Sequence, residues 1–143
     1  MLLCGFSLVA FVFMPEHVHL LSYGSQPDAN VSRLLKAIKR PLSFKIKQCL
    51  VEQGSPLVSE LTIRERPDVE VFRFWQEGSG YDRNLHTAQA VLASIDYLHM
   101  NPVRRRLAES AAEWKWSSAR HYLKAEHDPD LPTITKLSAS FLD

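Results

Sequence analysis

Leu2 to Met14 is a mostly apolar run at the head of the chain. At about thirteen residues it is too short to span a bilayer, which takes about 20. No Lys or Arg precedes it and no small-residue cleavage site follows it, so a secretory signal is disfavoured. Phe6, Leu8, Val9, Phe11, Val12 and Phe13 are mostly β-formers. The run therefore predicts a buried strand over Leu3 to Phe13.

After a break at Met14-Pro15, His17 to Tyr23 reads as extended again, and Gly24 to Ala29 reads as a loop. Asn30 suits a helix cap, and Val31, Leu34, Leu35 and Ile38 follow helical spacing. Pro41 is expected to kink or break that helix, with Leu42 to Val51 helical again. Gln53 to Ser59 reads as loop, Leu61 to Glu65 and Val69 to Trp75 as short strands, and Gly78 to Gly80 as loop. A second amphipathic helix starts near Thr87, with Ala88, Val91, Leu92, Ile95 and Leu98 as its stripe. It is expected to end near Asn101-Pro102, because a residue before proline resists the helical region. Arg104 to Arg120 should hold a short helical turn and a packed Trp114/Trp116 pair. Strands with helices between them predict one two-layer α+β domain over residues 1–122, followed by a mostly irregular tail over 123–143.

With 143 residues, 45% of them hydrophobic and 23% charged, the chain has the composition of an ordinary globular domain. Seventeen Lys and Arg against 16 Asp and Glu leave a net charge of +1. That excludes a globally basic coat but not a local basic face. From Ala29 to Val51 there are six basic residues and no acid: Arg33, Lys36, Lys39, Arg40, Lys45 and Lys47. Arg104, Arg105 and Arg106 add a second cluster. Such residues attract phosphates, though a solvated helix face is the commoner meaning of such a run. Cys4 and Cys49 are too few for a disulfide scaffold and lack metal-ligand spacing. They suit a reducing, cytoplasmic setting where both stay as thiols. No membrane partner is expected, since the apolar run is too short to span a bilayer.

Three segments can carry chemistry. In M-P-E-H-V-H-L-L, Met14 to Leu21, strand alternation points His17 and His19 the same way, with Val18 and Leu20 toward the opposite, core face. Two imidazoles on one face can clamp a metal, or can simply be half-exposed strand residues. In I-D-Y-L-H-M-N-P-V, Tyr97 and Asn101 are four apart and share a helix face. The plainer alternative is a tyrosine at the stripe edge and an asparagine ending the helix. Phe72, Phe74, Trp75 and Tyr81 surround the glycine loop beside Arg73 and Arg83. They can stack unpaired bases or pack as core and rim.

Taken together, M-P-E-H-V-H-L-L, F-W-Q-E-G-S-G-Y-D, D-Y-L-H-M-N-P-V-R-R and W-K-W-S-S-A-R-H-Y resemble, in order, the motifs of the REP-associated tyrosine transposases. These belong to the HUH single-strand transposase superfamily. The resemblance runs from about Leu3 to Tyr122. It implies a ferredoxin-like α+β fold, with helices packed on one face of an antiparallel sheet. It implies that His17 and His19 hold a divalent metal, Mg²⁺ or Mn²⁺, with Asn101 as third ligand and Tyr97 as nucleophile. The implied reaction nicks and rejoins single-stranded DNA near a hairpin through a covalent 5′-phosphotyrosine. A free phenol is a weak nucleophile near neutrality, with a pKa of about 10, so it needs a nearby base or a cation's field. Arg33, Lys36, Lys39, Arg40, Lys45, Lys47, Arg104 and Arg105 would then track the DNA backbone.

The sequence departs from that pattern in three places. Family members carry a further strand and helix before the strand that begins here at Leu2. The expected sheet therefore lacks its first strand, leaving unpaired backbone and apolar surface. That points to a misplaced start, a decayed copy or repair as a homodimer. Glu16 stands where Asn is common and is expected to support the histidines or raise their basicity. Arg106 stands where Gly is common, at a modest conformational cost if that position needs φ > 0. Two other functions compete with the transposase: a catalytically decayed module that still binds hairpin DNA, and a metal hydrolase that activates water.

Overall fold

The computed structural model describes residues 2–78 and 80–138. Ser79 of the expected glycine loop and residues 139–143 of the tail lie outside the described residues. Contacts divide the chain into two compact units, Met1–Ala29 with Arg83–Asp143, and Asn30–Asp82.

In the first unit the apolar run folds as a hairpin rather than one strand. β1 (Leu2–Leu3) turns at Cys4-Gly5 into β2 (Phe6–Phe13), with Leu3 opposite Phe6. Both turn residues have positive φ, 52° and 80°. That is the pattern of a type I′ turn, whose twist matches the strands it joins. β3 (Val18–Gly24) runs antiparallel to β2, after a turn closed by the Met14 N–H donating to the His17 carbonyl at 2.9 Å. The strand order is β1-β2-β3. A register shift between Leu8 and Ala10 marks a β-bulge, and Val9 and Ala10 both join the same core cluster.

The second unit begins at α1 (Val31–Glu52), capped by the Asn30 side chain accepting from the Arg33 N–H at 3.1 Å. Pro41 neither breaks nor divides this helix. The ring removes one internal hydrogen bond. Pro41 itself is exposed, and Ala37, whose carbonyl loses its partner, is partly exposed. The segment read as loop contains the single turn α2 (Leu57–Glu60). β4 (Thr62–Arg66) and β5 (Val69–Phe72) pair antiparallel, close to the expected strands. Trp75 is tied to α1 by its indole N–H donating to the Lys39 carbonyl at 3.1 Å.

Back in the first unit, α3 (Ala88–Arg104) starts at Thr87, whose hydroxyl accepts from the Ala90 N–H at 3.1 Å. It runs through Pro102 instead of stopping before it. Pro102 is buried in the last turn, where the Arg106 and Leu107 N–H groups bond the Val103 and Pro102 carbonyls, both at 2.9 Å. This is a Schellman cap, and Arg106 occupies its left-handed position at φ 57°. The cost expected for a side chain there is therefore incurred. α4 (Ala119–Lys124) follows.

The core joins Val9, Ala10, Val12 and Met14 of the β2 region to Val91, Ile95 and Leu98 of α3. Leu21 and Tyr23 of β3, with Trp114, Tyr122 and Leu137, pack around it. Leu20, expected inside, is 37% exposed and pairs with Phe11 on the other face of the sheet. The register explains why: His19 lies opposite Val12, and Leu21 opposite Ala10, so the histidine face is the one that meets α3. Trp116, expected in the core, is exposed.

The second edge of β2 is not bare. The Thr135 N–H donates to the Leu8 carbonyl at 2.7 Å, and the Phe13 N–H to the Trp116 carbonyl at 2.8 Å. The Tyr122 hydroxyl donates to the Val9 carbonyl and the Trp114 indole N–H to the Phe13 carbonyl, each at 2.9 Å. Segments from the C-terminal half thus satisfy backbone that the resemblance predicted to be unpaired. Among the described residues of the tail, Leu137 and Thr135 anchor it. The architecture is α+β with antiparallel sheets.

Candidate active site

His17 ends the β2–β3 turn and His19 lies two residues on, inside β3. That spacing puts both rings on one side of the strand. The centroids lie 4.7 Å apart at 79°, less than the roughly 6.6 Å between alternate residues of a strand, so the rings lean together. α3 packs over the same face, and its Tyr97 ring lies 6.4 Å from the His19 ring, the two planes crossing at 80°. Tyr97 is 57% exposed, accessible to a large substrate, whereas Asn101 one turn later is 6% exposed. The i, i+4 spacing stacks the two on α3.

The charges around this group come from the end of α3. The Arg104 guanidinium lies 3.9 Å over the Tyr97 ring and donates to the Tyr97 carbonyl at 2.6 Å. Arg105 forms an ion pair with Glu16, the residue before His17. The carboxylate expected to raise the basicity of the histidines is thus engaged by an arginine. Burial first, then the neighbouring His17 and Arg104 charges, holds the His19 pKa below the usual histidine value. A neutral imidazole keeps a nitrogen lone pair for a metal.

Among the described residues no three His, Cys, Asp or Glu side chains form a metal cluster. The Asn101 amide oxygen is a donor type outside that set. As donor chemistry alone, two imidazole nitrogens and an amide oxygen are a mixed N/O set of the kind that suits a divalent first-row ion or Mg²⁺.

The basic residues divide between the two units. Arg33, Lys36, Lys39, Arg40, Lys45 and Lys47 all lie on α1. Helical spacing brings Arg33, Lys36, Arg40 and Lys47 into one stripe. The Lys39 ammonium sits 5.8 Å from the Trp75 ring and donates to the Gly78 carbonyl at 3.3 Å, and Lys47 lies 5.9 Å over Phe72. Phe72 and Trp75 therefore serve packing against α1, while Tyr81 is 91% exposed.

One pair escaped sequence reasoning. His99, 6% exposed, places Nε2 2.8 Å from the Ser118 hydroxyl. Ser118 also accepts from the Phe11 N–H at 3.0 Å, bonding the sheet edge to α3 through one side chain. Burial lowers the His99 pKa, against a smaller upward pull from Asp96. The available signal was positional. His99 completes the series Ile95, Leu98, His99, Pro102, so a polar residue stands at a stripe position.

No protein-family profile matches the chain, and no solved structure matches it. The chain is 27% identical over 127 residues to a Haemophilus influenzae protein named "Putative REP-associated tyrosine transposase". The aligned region covers 87% of this chain and 65% of that relative, so the chain spans about two thirds of the relative's length. The chain is thus similar over most of its length to a protein bearing the name of the family that its four motifs resemble.

Proposed function

We propose that this chain is a metal-dependent transposase that nicks and rejoins single-stranded DNA beside a hairpin, with Tyr97 as nucleophile. The observation that carries the reading is the exposed Tyr97 ring lying beside His19, whose ring neighbours that of His17. The similarity to the Haemophilus influenzae protein supports it.

In the mechanism, the Tyr97 phenolic oxygen attacks the phosphorus of a phosphodiester and loses its proton to water or a nearby base. The bond from phosphorus to the 3′-oxygen breaks, and that oxygen leaves as a hydroxyl after taking up a proton. The product is a 5′-phosphotyrosine. Because one phosphoester replaces another, its energy is kept, and a new 3′-hydroxyl can reverse the step elsewhere. His17 and His19, with Asn101, would hold the divalent cation, Mg²⁺ or Mn²⁺. When bound, the cation polarises the phosphoryl oxygens and offsets charge on the leaving oxygen. The α1 stripe of Arg33, Lys36, Arg40 and Lys47, with Lys39 and Lys45, would attract DNA phosphates in its unit, and Arg104 and Arg105 would do so in theirs.

A single-stranded hairpin oligonucleotide with Mg²⁺ or Mn²⁺ should give a protein-linked fragment on a denaturing gel, and Tyr97→Phe should abolish it. Nicking that survives Tyr97→Phe without an adduct would reject the nucleophile and select an activated-water hydrolase. A salt-dependent gel shift with no cleavage would select the hairpin-binding module.

A further inference from the structure

We propose that Arg104 is a positioning residue that clamps the Tyr97 ring in the orientation it presents to His19. The inference rests on the transposase reading above.

Arg104 lies two helical turns beyond Tyr97, near the last turn of α3, and its side chain folds back along the helix. It makes two contacts to one residue: the guanidinium Cζ stands 3.9 Å from the ring centroid, and Nη2 donates to the Tyr97 carbonyl at 2.6 Å. The first contact covers a face of the ring. The second ties the guanidinium to the backbone that carries the ring. With one face covered, the ring stands 6.4 Å from the His19 ring, the two planes at 80°.

The need for such a clamp follows from exposure. Tyr97 is more than half exposed, and an exposed aromatic side chain on a helix exchanges rotamers freely unless something holds it. A nucleophile must arrive in line, and a displacement of about 1 Å can cost a hundredfold in rate. The planar guanidinium can stack and donate in one geometry. A lysine ammonium carries the same charge but has no plane to lie on the ring. The proposal therefore separates shape from charge. A residue that only attracted DNA phosphates would be replaced well by lysine, whereas a clamp would not.

The test uses the full chain with 3-fluorotyrosine in place of its four tyrosines, the Tyr97 resonance being assigned by Tyr97→Phe. In Arg104→Gln and Arg104→Lys, the fluorine resonance of Tyr97 should shift and sharpen, while those of Tyr23, Tyr81 and Tyr122 stay in place. The unmoved resonances also report that each variant has folded. In single-turnover assays with the hairpin oligonucleotide and Mg²⁺, Arg104→Lys should bind as wild type yet form the adduct about tenfold more slowly. A Tyr97 resonance unchanged in both variants overturns the clamp, and so does an adduct formed at the wild-type rate by Arg104→Lys. If the resonance moves but wild-type protein forms no adduct, the clamp stands as a structural contact and the nicking reading falls.

Discussion

Replacing Arg106 by glycine should make this protein more stable, although the substitution removes a whole side chain. Arg106 sits at φ 57° immediately after the α3 cap, where its N–H bonds the Val103 carbonyl. An L-residue pays about 1–2 kcal/mol in the left-handed region because Cβ crowds the following carbonyl oxygen. Glycine avoids that penalty but returns about 0.5–1 kcal/mol, since its unfolded chain is freer. Arg106 is exposed, so little packing is lost with its side chain. The balance is a gain of about 0.5–1 kcal/mol, or about 2–4 °C in Tm for a chain of this length. Urea titration followed by circular dichroism should show a higher midpoint with an unchanged slope. Arg106→Ala is the control: it removes the same side chain but keeps Cβ, and should stay within about 0.5 kcal/mol of wild type. If Arg106→Gly gains nothing, or if alanine gains as much as glycine, the backbone argument is wrong.

Other substitutions test the links around the site. Ser118→Ala leaves the buried Phe11 N–H without its acceptor and should cost about 1–3 kcal/mol in the same titration. Glu16→Gln breaks the ion pair with Arg105, both partners being about half exposed, and should cost no more than about 1 kcal/mol. The fold holds His99 neutral, with a pKa below the unfolded value of about 6.5. The unfolded chain therefore binds the extra proton first as pH falls, so stability is full above about 6.5 and declines below it through the folded pKa. His19 acts in the same direction. Urea midpoints between pH 8 and 5 should fall less in His99→Gln than in wild type; parallel curves would remove His99 from the account.

The sequence alone determined what depends on near neighbours. Asn30 and Thr87 begin the two long helices because each carries a side-chain oxygen that accepts from the N–H three residues on. The convergence of His17 with His19, and the stacking of Tyr97 on Asn101, follow from strand and helix periodicity once the element is known. Tertiary structure decided which face of β3 meets α3. The Leu20-Leu21 pair offers an apolar residue to both sides, so the pattern could not choose, and the choice came from register against β2 and its bulge at Val9. Tertiary structure also carried the helices through Pro41 and Pro102, where local preference argued for an end. It closed the open edge of β2 with Ser118, Trp116, Tyr122 and Thr135, more than a hundred residues away in sequence. The physical reason is range: local preference reflects near neighbours only, whereas register and packing depend on distant segments. At the β2 edge, a buried backbone group left unbonded costs more than a local preference saves.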